Sequence, residues 1–290
     1  MKKMIGILLL ISLTAAMFTA CSDNNRSAFD GKKNIVVVSR EDGSGTRGAF
    51  IELFGIEQKN DDGTKKDLTT KEAIIAKQTD VMMTNIAGDP YAIGYISLGS
   101  LNDTVKALKI EGVNPTAENV KNGTYPIARP FNIATKDEVS ELAEDFIGFV
   151  LSAEGQAVVA GSYIAVDENA PAYTGNQPTG KIVVAGSSSV TLIMEKLKEA
   201  YLLINSDATI EIQMSDSTAG IIGAIDGTCD IGMASRELKD SEREQLTSIQ
   251  IALDGIAVIV NHENPTINLT KDKVKAIFTG ETLTWSEVSQ

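Results

Sequence analysis

The sequence predicts an α/β protein built on parallel β-sheets, and two observations lead to that prediction. Residues 35–50, IVVVSREDGSGTRGAF, run from a continuous apolar segment through a Gly/Ser-rich bend into a helix-compatible segment. A short continuous apolar run is typical of a strand buried on both faces. Residues 181–201, KIVVAGSSSVTLIMEKLKEAY, repeat this order, and a third such unit begins with a strand at 209–214. Strands that alternate with helices in this way favour a parallel sheet.

A strand with an Ile-Gly pair follows the first unit, AIGYIS at residues 92–97. A similar strand, CDIGMAS at 229–235, follows the later units. The chain therefore contains two diverged copies of one pattern. In open parallel sheets, ligands bind beyond the carboxyl ends of the strands. Two copies that face each other would direct several helix N-termini to one point, which is the geometry of a two-lobed binding protein closing on a small anion.

The other elements are predicted from local patterns. Residues 139–151 form a helix because four apolar residues recur at helical spacing on one face, namely Leu142, Phe146, Phe149 and Val150. The remaining predictions are a helix near 70–78, a strand at 80–84, a short helix at 114–121 with Thr116 as N-cap, and a linker at 173–180, YTGNQPTG.

The first unit also predicts an anion site. Ser44, Gly45 and Thr46 fall where the helix begins, and Arg40 lies four residues earlier. Backbone N–H groups at a helix start have no intrahelical partner, and the helix dipole adds roughly half a positive charge there. Free amides, two hydroxyls and an arginine together suit an anion. The alternative is a Ser/Thr N-cap with a glycine turn and no ligand.

The N-terminus carries a targeting signal. Residues 1–20 combine two lysines with an apolar stretch, and small residues precede Cys21. This pattern is typical of a lipoprotein signal peptide, so we expect Cys21 to become the acylated N-terminus and 21–33 to be a polar tether. The predicted location is the extracytoplasmic face of the cell membrane. A membrane-spanning anchor is the alternative, although the apolar run is shorter than the ~20 residues a span needs.

Charge and composition limit the partners. Removal of the signal takes two lysines from a formal net charge of −13 and leaves −15. This charge argues against nucleic acid and against electrostatic attachment to anionic lipid. An anion site must therefore rely on local amides and arginine. Cys229 is the one other cysteine, so no disulfide framework is expected.

Three other chemistries find little support. Gly43–Gly48 formally matches the dinucleotide fingerprint, but charged residues separate it from the strand. His262 is the one histidine and lies in a polar turn, so neither a hydrolytic triad nor a zinc site is expected. We predict no cofactor, no metal and no enzymatic activity. Uncharged donors are abundant instead, namely Ser44, Thr46, Ser187, Ser188, Ser189, Ser217, Thr218 and Ser235.

Several segments together resemble the phosphate-binding lipoprotein of the ABC phosphate importer. They are SREDGSGTRGAF, AIGYISLGSL, VKALKIEGVNPTAENVKNGTYPIARP, KIVVAGSSSVT, DSTAGIIGAIDGTCDIGMASREL, LDGIAVIVNHENP and KAIFTGETLTWSEV. The resemblance covers nearly all of 33–288. It implies a type II periplasmic-binding-protein fold, with two α/β lobes, a hinge and the ligand in the cleft between them. It also implies capture of inorganic phosphate and its delivery to an ABC permease. An anion-sensing surface lipoprotein without a transport role, and a phosphatase-like lipoprotein, are the alternatives.

The order of the motifs differs from that family. There the AGSSSV unit comes first and the DGSGTR unit second, whereas here the order is reversed. We interpret the chain as a circular permutant, because each motif is present once and exposed neighbouring termini tolerate permutation. The predicted lobes are 34–103 plus 266–290, and 104–265. Two fragments completed by exchange between chains are the alternative; we expect a monomer.

The resemblance also implies a role for each site residue. Arg40 would pair with phosphate and Asp42 would orient its guanidinium, while Ser235 stands where some family members carry an aspartate that accepts the phosphate proton. A hydroxyl can donate or accept, so it rejects sulfate less sharply, and Asp42 remains the candidate acceptor. The full set of implied phosphate ligands is Arg40, Asp42, Ser44, Gly45, Thr46, Ser188, Ser189, Ser217 and Ser235.

Overall fold

The computed structural model describes residues 29–60 and 65–288. The compact unit begins at Gly31. The predicted signal peptide, most of the predicted tether and Cys21 lie outside the described residues. Within the described ranges, no helix is both long enough and apolar enough to span a bilayer.

In the repeated units a strand is followed by a helix, as the sequence predicts. The strands are β1 (Val36–Arg40), β2 (Glu57–Lys59), β3 (Lys65–Asp67), β4 (Ile74–Ala76), β5 (Ala92–Ser97), β6 (Lys106–Ala107), β7 (Lys109–Ile110), β8 (Ala128–Thr135), β9 (Ile164–Ala165), β10 (Gly180–Ser187), β11 (Ala208–Ser215), β12 (Ile231–Ala234), β13 (Thr247–Val260) and β14 (Asn268–Leu269). The helices are α1 (Gly45–Leu53), α2 (Thr79–Gly88), α3 (Ala117–Lys121), α4 (Glu141–Leu151), α5 (Ala153–Ala160), α6 (Ser188–Leu202), α7 (Ser217–Asp226), α8 (Asp240–Arg243), α9 (Lys271–Thr279) and α10 (Trp285–Val288), with a 3₁₀ turn at Leu98–Ser100.

One mixed sheet runs through the molecule in the order β11-β10-β12-β8-β13-β5-β1-β4. Its two ends are parallel, because β10 pairs in parallel with β11 and β12, and β1 with β4 and β5. All of these strands except β4 belong to the repeated units. The centre is antiparallel, since β8 pairs with β12 and β13, and β13 pairs with β5.

Strand β13 belongs to both halves of this sheet. Its residues 247–255 pair with β8, and its residues 256–260 pair with β5. We call the part with β1, β4 and β5 the first half, and the part with β8, β10, β11 and β12 the second half. The lobe boundaries at 103/104 and 265/266 remain a prediction.

Each half has its own apolar core. In the second half, α4 begins at N-cap Ser140, whose side chain accepts from the Ala143 N–H, and buries the predicted face. In the first half, the Phe50 ring of α1 stacks on Tyr95 of β5 with centroids 3.8 Å apart and an interplanar angle of 9°. This stacking fixes α1 on the sheet immediately after the Gly/Ser bend.

Two element predictions are wrong in the first half. Residues 74–76, expected to be helical, form β4, because they pair with Val38–Arg40 at the sheet edge. Residues 80–84, expected to be a strand, belong to α2, which buries Met82 and Ile86 one turn apart. In both places, packing against distant residues outweighs local propensity. The predicted linker at 173–180 has no helix or strand before β10 begins at Gly180.

Candidate anion-binding site

Four helices begin at one place, two from each half of the sheet. Each follows the carboxyl end of a parallel strand: α1 follows β1, α2 follows β4, α6 follows β10 and α7 follows β11. Thr46 Oγ1 of α1 lies 2.9 Å from Ser189 Oγ of α6. The Gly43 carbonyl before α1 accepts the Thr218 N–H of α7 at 3.2 Å. The helix starts of the two halves are therefore in direct contact.

Buried hydroxyls fill the space between these helix starts. Ser235 Oγ lies 3.0 Å from Ser187 Oγ and 3.3 Å from Ser217 Oγ. Thr79 Oγ1, from the first residue of α2, lies 3.3 Å from Ser188 Oγ. The hydroxyl residues of the site are each at most 4% exposed: Ser44, Thr46, Thr79, Ser187, Ser188, Ser189, Ser217 and Ser235.

Gly45 permits this close approach. A Cβ at position 45 would lie 2.5 Å from Ser217 Oγ, 2.8 Å from Ser235 Oγ and 3.0 Å from the Ser235 backbone carbon. Real Cβ atoms essentially never approach other atoms within 3.0 Å. The glycine therefore lets the first half contact the second across the site.

Arg40 brings a buried positive charge to the same cluster. Its side chain is 2% exposed, and its Nη2 donates to Ser188 Oγ at 3.1 Å. Its Nε donates to Glu41 Oε2 at 2.9 Å and its Nη2 to Glu41 Oε1 at 2.7 Å. The Ala76 carbonyl also accepts from Nε at 3.2 Å. Arg40 is thus oriented by its neighbour Glu41 and reaches across to the second half.

The prediction that Asp42 orients Arg40 is wrong. The Asp42 side chain is 95% exposed and pairs with Arg47. Arg47 is itself held by Asp67 at 2.8 Å and by the Arg40 carbonyl at 3.0 Å. Asp42 lies in the turn after β1 and points to solvent, whereas the Glu41 carboxylate lies alongside the guanidinium. The other predicted ligands meet in the cluster, and Asp42 does not.

Sequence reasoning missed a second buried charge pair behind Ser235. Arg129 of β8 and Asp254 of β13 are 2% and 1% exposed, and their side chains lie 3.2 Å apart. Arg129 Nη1 donates to the Ser235 carbonyl at 2.9 Å. Burial raises the pKa of the Asp254 carboxyl to about 6, although the Arg129 charge acts in the opposite direction. The available signal was a charged residue inside each of two apolar strands.

These groups suit the binding of an anion. The cluster offers hydroxyls, helix N-terminal amides and one guanidinium. In the described ranges, no group of three His, Cys, Asp or Glu side chains could hold a metal ion. His262 is exposed in its predicted turn, where its Nε2 lies 2.9 Å from the Asp103 carbonyl. The cluster therefore has no histidine to act as a general base.

Comparison with known proteins gives the family. A model of the PBP superfamily domain matches residues 15–154 and 171–290. The chain is 51% identical over 292 residues to phosphate-binding protein PstS 2 of Streptococcus agalactiae, and the match covers 99% of each chain. It is 43% identical over 290 residues to phosphate-binding protein PstS 2 of Streptococcus pneumoniae, again over 99% of each.

A solved structure supports the fold. The phosphate-binding protein of a phosphate ABC transporter from S. pneumoniae is 45% identical and superposes with a TM-score of 0.70, over 88% of this chain and 99% of that one. The two-lobed periplasmic-binding fold is thereby confirmed. The chain belongs to the PBP superfamily and, within it, to the family of these PstS phosphate-binding proteins.

Proposed function

We propose that this chain binds inorganic phosphate between its two lobes and delivers it to the permease of a phosphate ABC transporter. The meeting of four helix N-termini around Arg40 and buried hydroxyls carries the proposal. Each helix start contributes roughly half a positive charge and unpaired N–H groups. A tetrahedral oxyanion has hydrogen-bond acceptors on every side. It can therefore accept the hydrogen bonds that these hydroxyls otherwise donate to one another. The similar proteins from Streptococcus are phosphate-binding proteins by name, which supports phosphate as that oxyanion.

The proposed ligands come from both halves of the sheet. From the first half they are Arg40, Ser44, Gly45 and Thr46, and from the second half they are Ser188, Ser189, Ser217 and Ser235. Asp42 is left out because its side chain is exposed and paired with Arg47. Both oxygens of Glu41 already accept from Arg40. No ligand in this set carries a carboxylate free to accept the phosphate proton, so we expect only moderate discrimination against sulfate.

Calorimetry tests the binding. Phosphate titrated into the purified protein should give saturable one-to-one binding, and sulfate should compete measurably at higher concentration. Absence of heat with phosphate from micromolar to millimolar concentrations would contradict the proposal. Release of nitrophenol from para-nitrophenyl phosphate is not expected, since no histidine lies in the cluster.

Cellular uptake separates transport from sensing. Deletion of the gene should lower phosphate uptake, and the unaltered gene should restore it. An Arg40→Gln gene should not restore it. Unchanged uptake after deletion would favour the anion-sensing lipoprotein. Attachment to the extracytoplasmic face through Cys21 belongs to the same proposal, and Cys21→Ser should release the protein from the membrane fraction.

We further propose that one chain forms the complete site as a monomer. Each motif of the site occurs once in this sequence, which favours a circular permutant over exchanged fragments. The full-length relatives align from end to end with this chain, so they share its order. Light scattering on phosphate-bound protein should give the mass of one chain; a stable dimer would favour exchange.

A further inference from the structure

Asp254 occupies the position where β13 changes partner. Strand β13 pairs with β8 up to Gly255 and with β5 from Ile256 onward. Within the β8 ladder, Asp254 stands directly opposite Arg129. This charge pair therefore lies where the two halves of the sheet join.

The Asp254 carboxylate contacts both halves. Its Oδ2 accepts from Arg129 Nη2 at 3.2 Å and from Nε at 3.4 Å. Its Oδ1 accepts the Gly99 N–H at 3.4 Å, in the 3₁₀ turn that follows β5. The Arg129 guanidinium is also held from another side, 5.2 Å above the centre of the Phe131 ring. The Asp254 carboxylate and the Phe131 ring therefore hold the guanidinium from two sides.

Arg129 contacts the anion site through a single hydrogen bond. Its Nη1 donates to the Ser235 carbonyl at 2.9 Å. The Ser235 N–H donates to Ser217 Oγ at 3.1 Å, and the Ser235 hydroxyl lies 3.0 Å from Ser187 Oγ. The N–H, the hydroxyl and the carbonyl of Ser235 thus each have a partner. Arg129 is the partner that lies outside the hydroxyl cluster.

We propose that Arg129 is a positioning residue for the bound oxyanion, held by Asp254 where the two halves join and acting through Ser235. This inference rests on the proposed function. Arg129 orients the Ser235 peptide so that its hydroxyl faces the site. A buried ion pair by itself contributes little to stability. A positioning role explains why this pair lies between the boundary of the two halves and the segment that carries Ser235.

Four variants separate positioning from general support of the fold. Arg129→Gln removes the bond to the Ser235 carbonyl, Arg129→Lys keeps the charge without the planar fork, and Asp254→Asn loosens the hold on Arg129. Ser235→Ala removes the hydroxyl through which Arg129 is proposed to act. Asp145→Asn is the matched control, because that carboxylate accepts from Tyr201 Oη at 2.7 Å in the last turn of α6, whereas the site lies at the first turn of that helix.

The experiment is calorimetry with inorganic phosphate and with sulfate, with unfolding measured on the same samples. We expect Arg129→Gln to weaken phosphate binding by about tenfold or more and to change the phosphate-to-sulfate affinity ratio. Arg129→Lys should bind phosphate more tightly than Arg129→Gln does. Asp254→Asn should change the phosphate Kd and the affinity ratio in the same direction as Arg129→Gln. In a Ser235→Ala background, Arg129→Gln should change the phosphate Kd less than threefold, because residues that act as one unit are not additive. The control should lose stability and keep its Kd.

The opposite results are distinct. Equal weakening by Arg129→Gln in both backgrounds would overturn the route through Ser235. Lower stability with an unchanged Kd and ratio would show a structural pair only. If Arg129→Gln does not fold, an unchanged Kd and ratio in both Arg129→Lys and Asp254→Asn would overturn the inference in the same way. If the unaltered protein binds no phosphate, the proposed function fails and this inference fails with it.

Discussion

Replacement of Arg40 by glutamine tests the electrostatics of the site most sharply. The substitution removes a guanidinium that is 2% exposed and bonded to Ser188 across the site. It also leaves the Glu41 carboxylate, whose side chain is 17% exposed, without its partner beside an incoming anion. The bound anion therefore loses an attraction and gains a repulsion.

The magnitude follows from Coulomb's law and from measured charge pairs. Two unit charges about 4 Å apart interact by about 4 kcal/mol at an effective dielectric constant of about 20. Truncation of one partner of a buried, hydrogen-bonded charge pair typically costs about 2–5 kcal/mol of binding free energy. That range corresponds to a phosphate Kd weakened by about 30-fold to 5,000-fold.

Calorimetry with phosphate at fixed pH and salt measures the effect. Arg243→Ala is the matched control, because Arg243 is 47% exposed and pairs at the surface with Asp240 at 2.9 Å. The double variant Arg40→Gln/Glu41→Gln should recover part of the lost affinity, since it removes the unpaired carboxylate. A folded Arg40→Gln protein that binds phosphate within threefold of the unaltered one would refute this reasoning.

Three further predictions concern packing and pH. Gly45→Ala should weaken phosphate binding at least tenfold in calorimetry with little loss of stability, because the added Cβ meets Ser217 Oγ; unchanged affinity would show that the halves need not approach so closely. Phe50→Ala should lower the free energy of unfolding by about 3–5 kcal/mol in urea titration, whereas Leu203→Ala, at 89% exposure, should change it by less than about 0.5 kcal/mol; similar losses would contradict the packing. Burial raises the pKa of Asp254 from 3.8 to about 6, so the folded protein binds this proton more tightly than the unfolded chain does. The free energy of unfolding of the unaltered protein should therefore fall by on the order of 3 kcal/mol as pH rises from about 4 to 7. Unfolding of Asp254→Asn should lack this component, and identical pH profiles for both proteins would refute it.

Local patterns predicted three of the four strand–helix units that bring the site together, and they missed β4 and α2. The apolar run before the Gly/Ser bend became β1 and α1, and the same order in the second unit became β10 and α6. The apolar face of α4 was correct residue by residue. These predictions succeed because strand burial, helix period and N-capping are properties of neighbouring residues. They were sufficient to predict hydroxyls at several helix starts.

The errors arise where distant residues decide the outcome. Residues 74–76 form a strand because β1 has a free edge there, which no local pattern reveals. Arg40 pairs with Glu41 and not with the predicted Asp42, because the Asp42 side chain points away from Arg40 in the turn. The Arg129–Asp254 pair depends on the register of β8 against β13. A lone charge in an apolar strand was the one signal visible beforehand.

The most direct test of the central claim is a crystal structure of the protein with phosphate. We expect one phosphate whose oxygens lie within hydrogen-bond distance of the Arg40 guanidinium, of donors in the Ser44–Thr46 loop, and of Ser188 and Ser217 from the other half. A phosphate contacting one half alone, or bound away from this cluster, would contradict the claim.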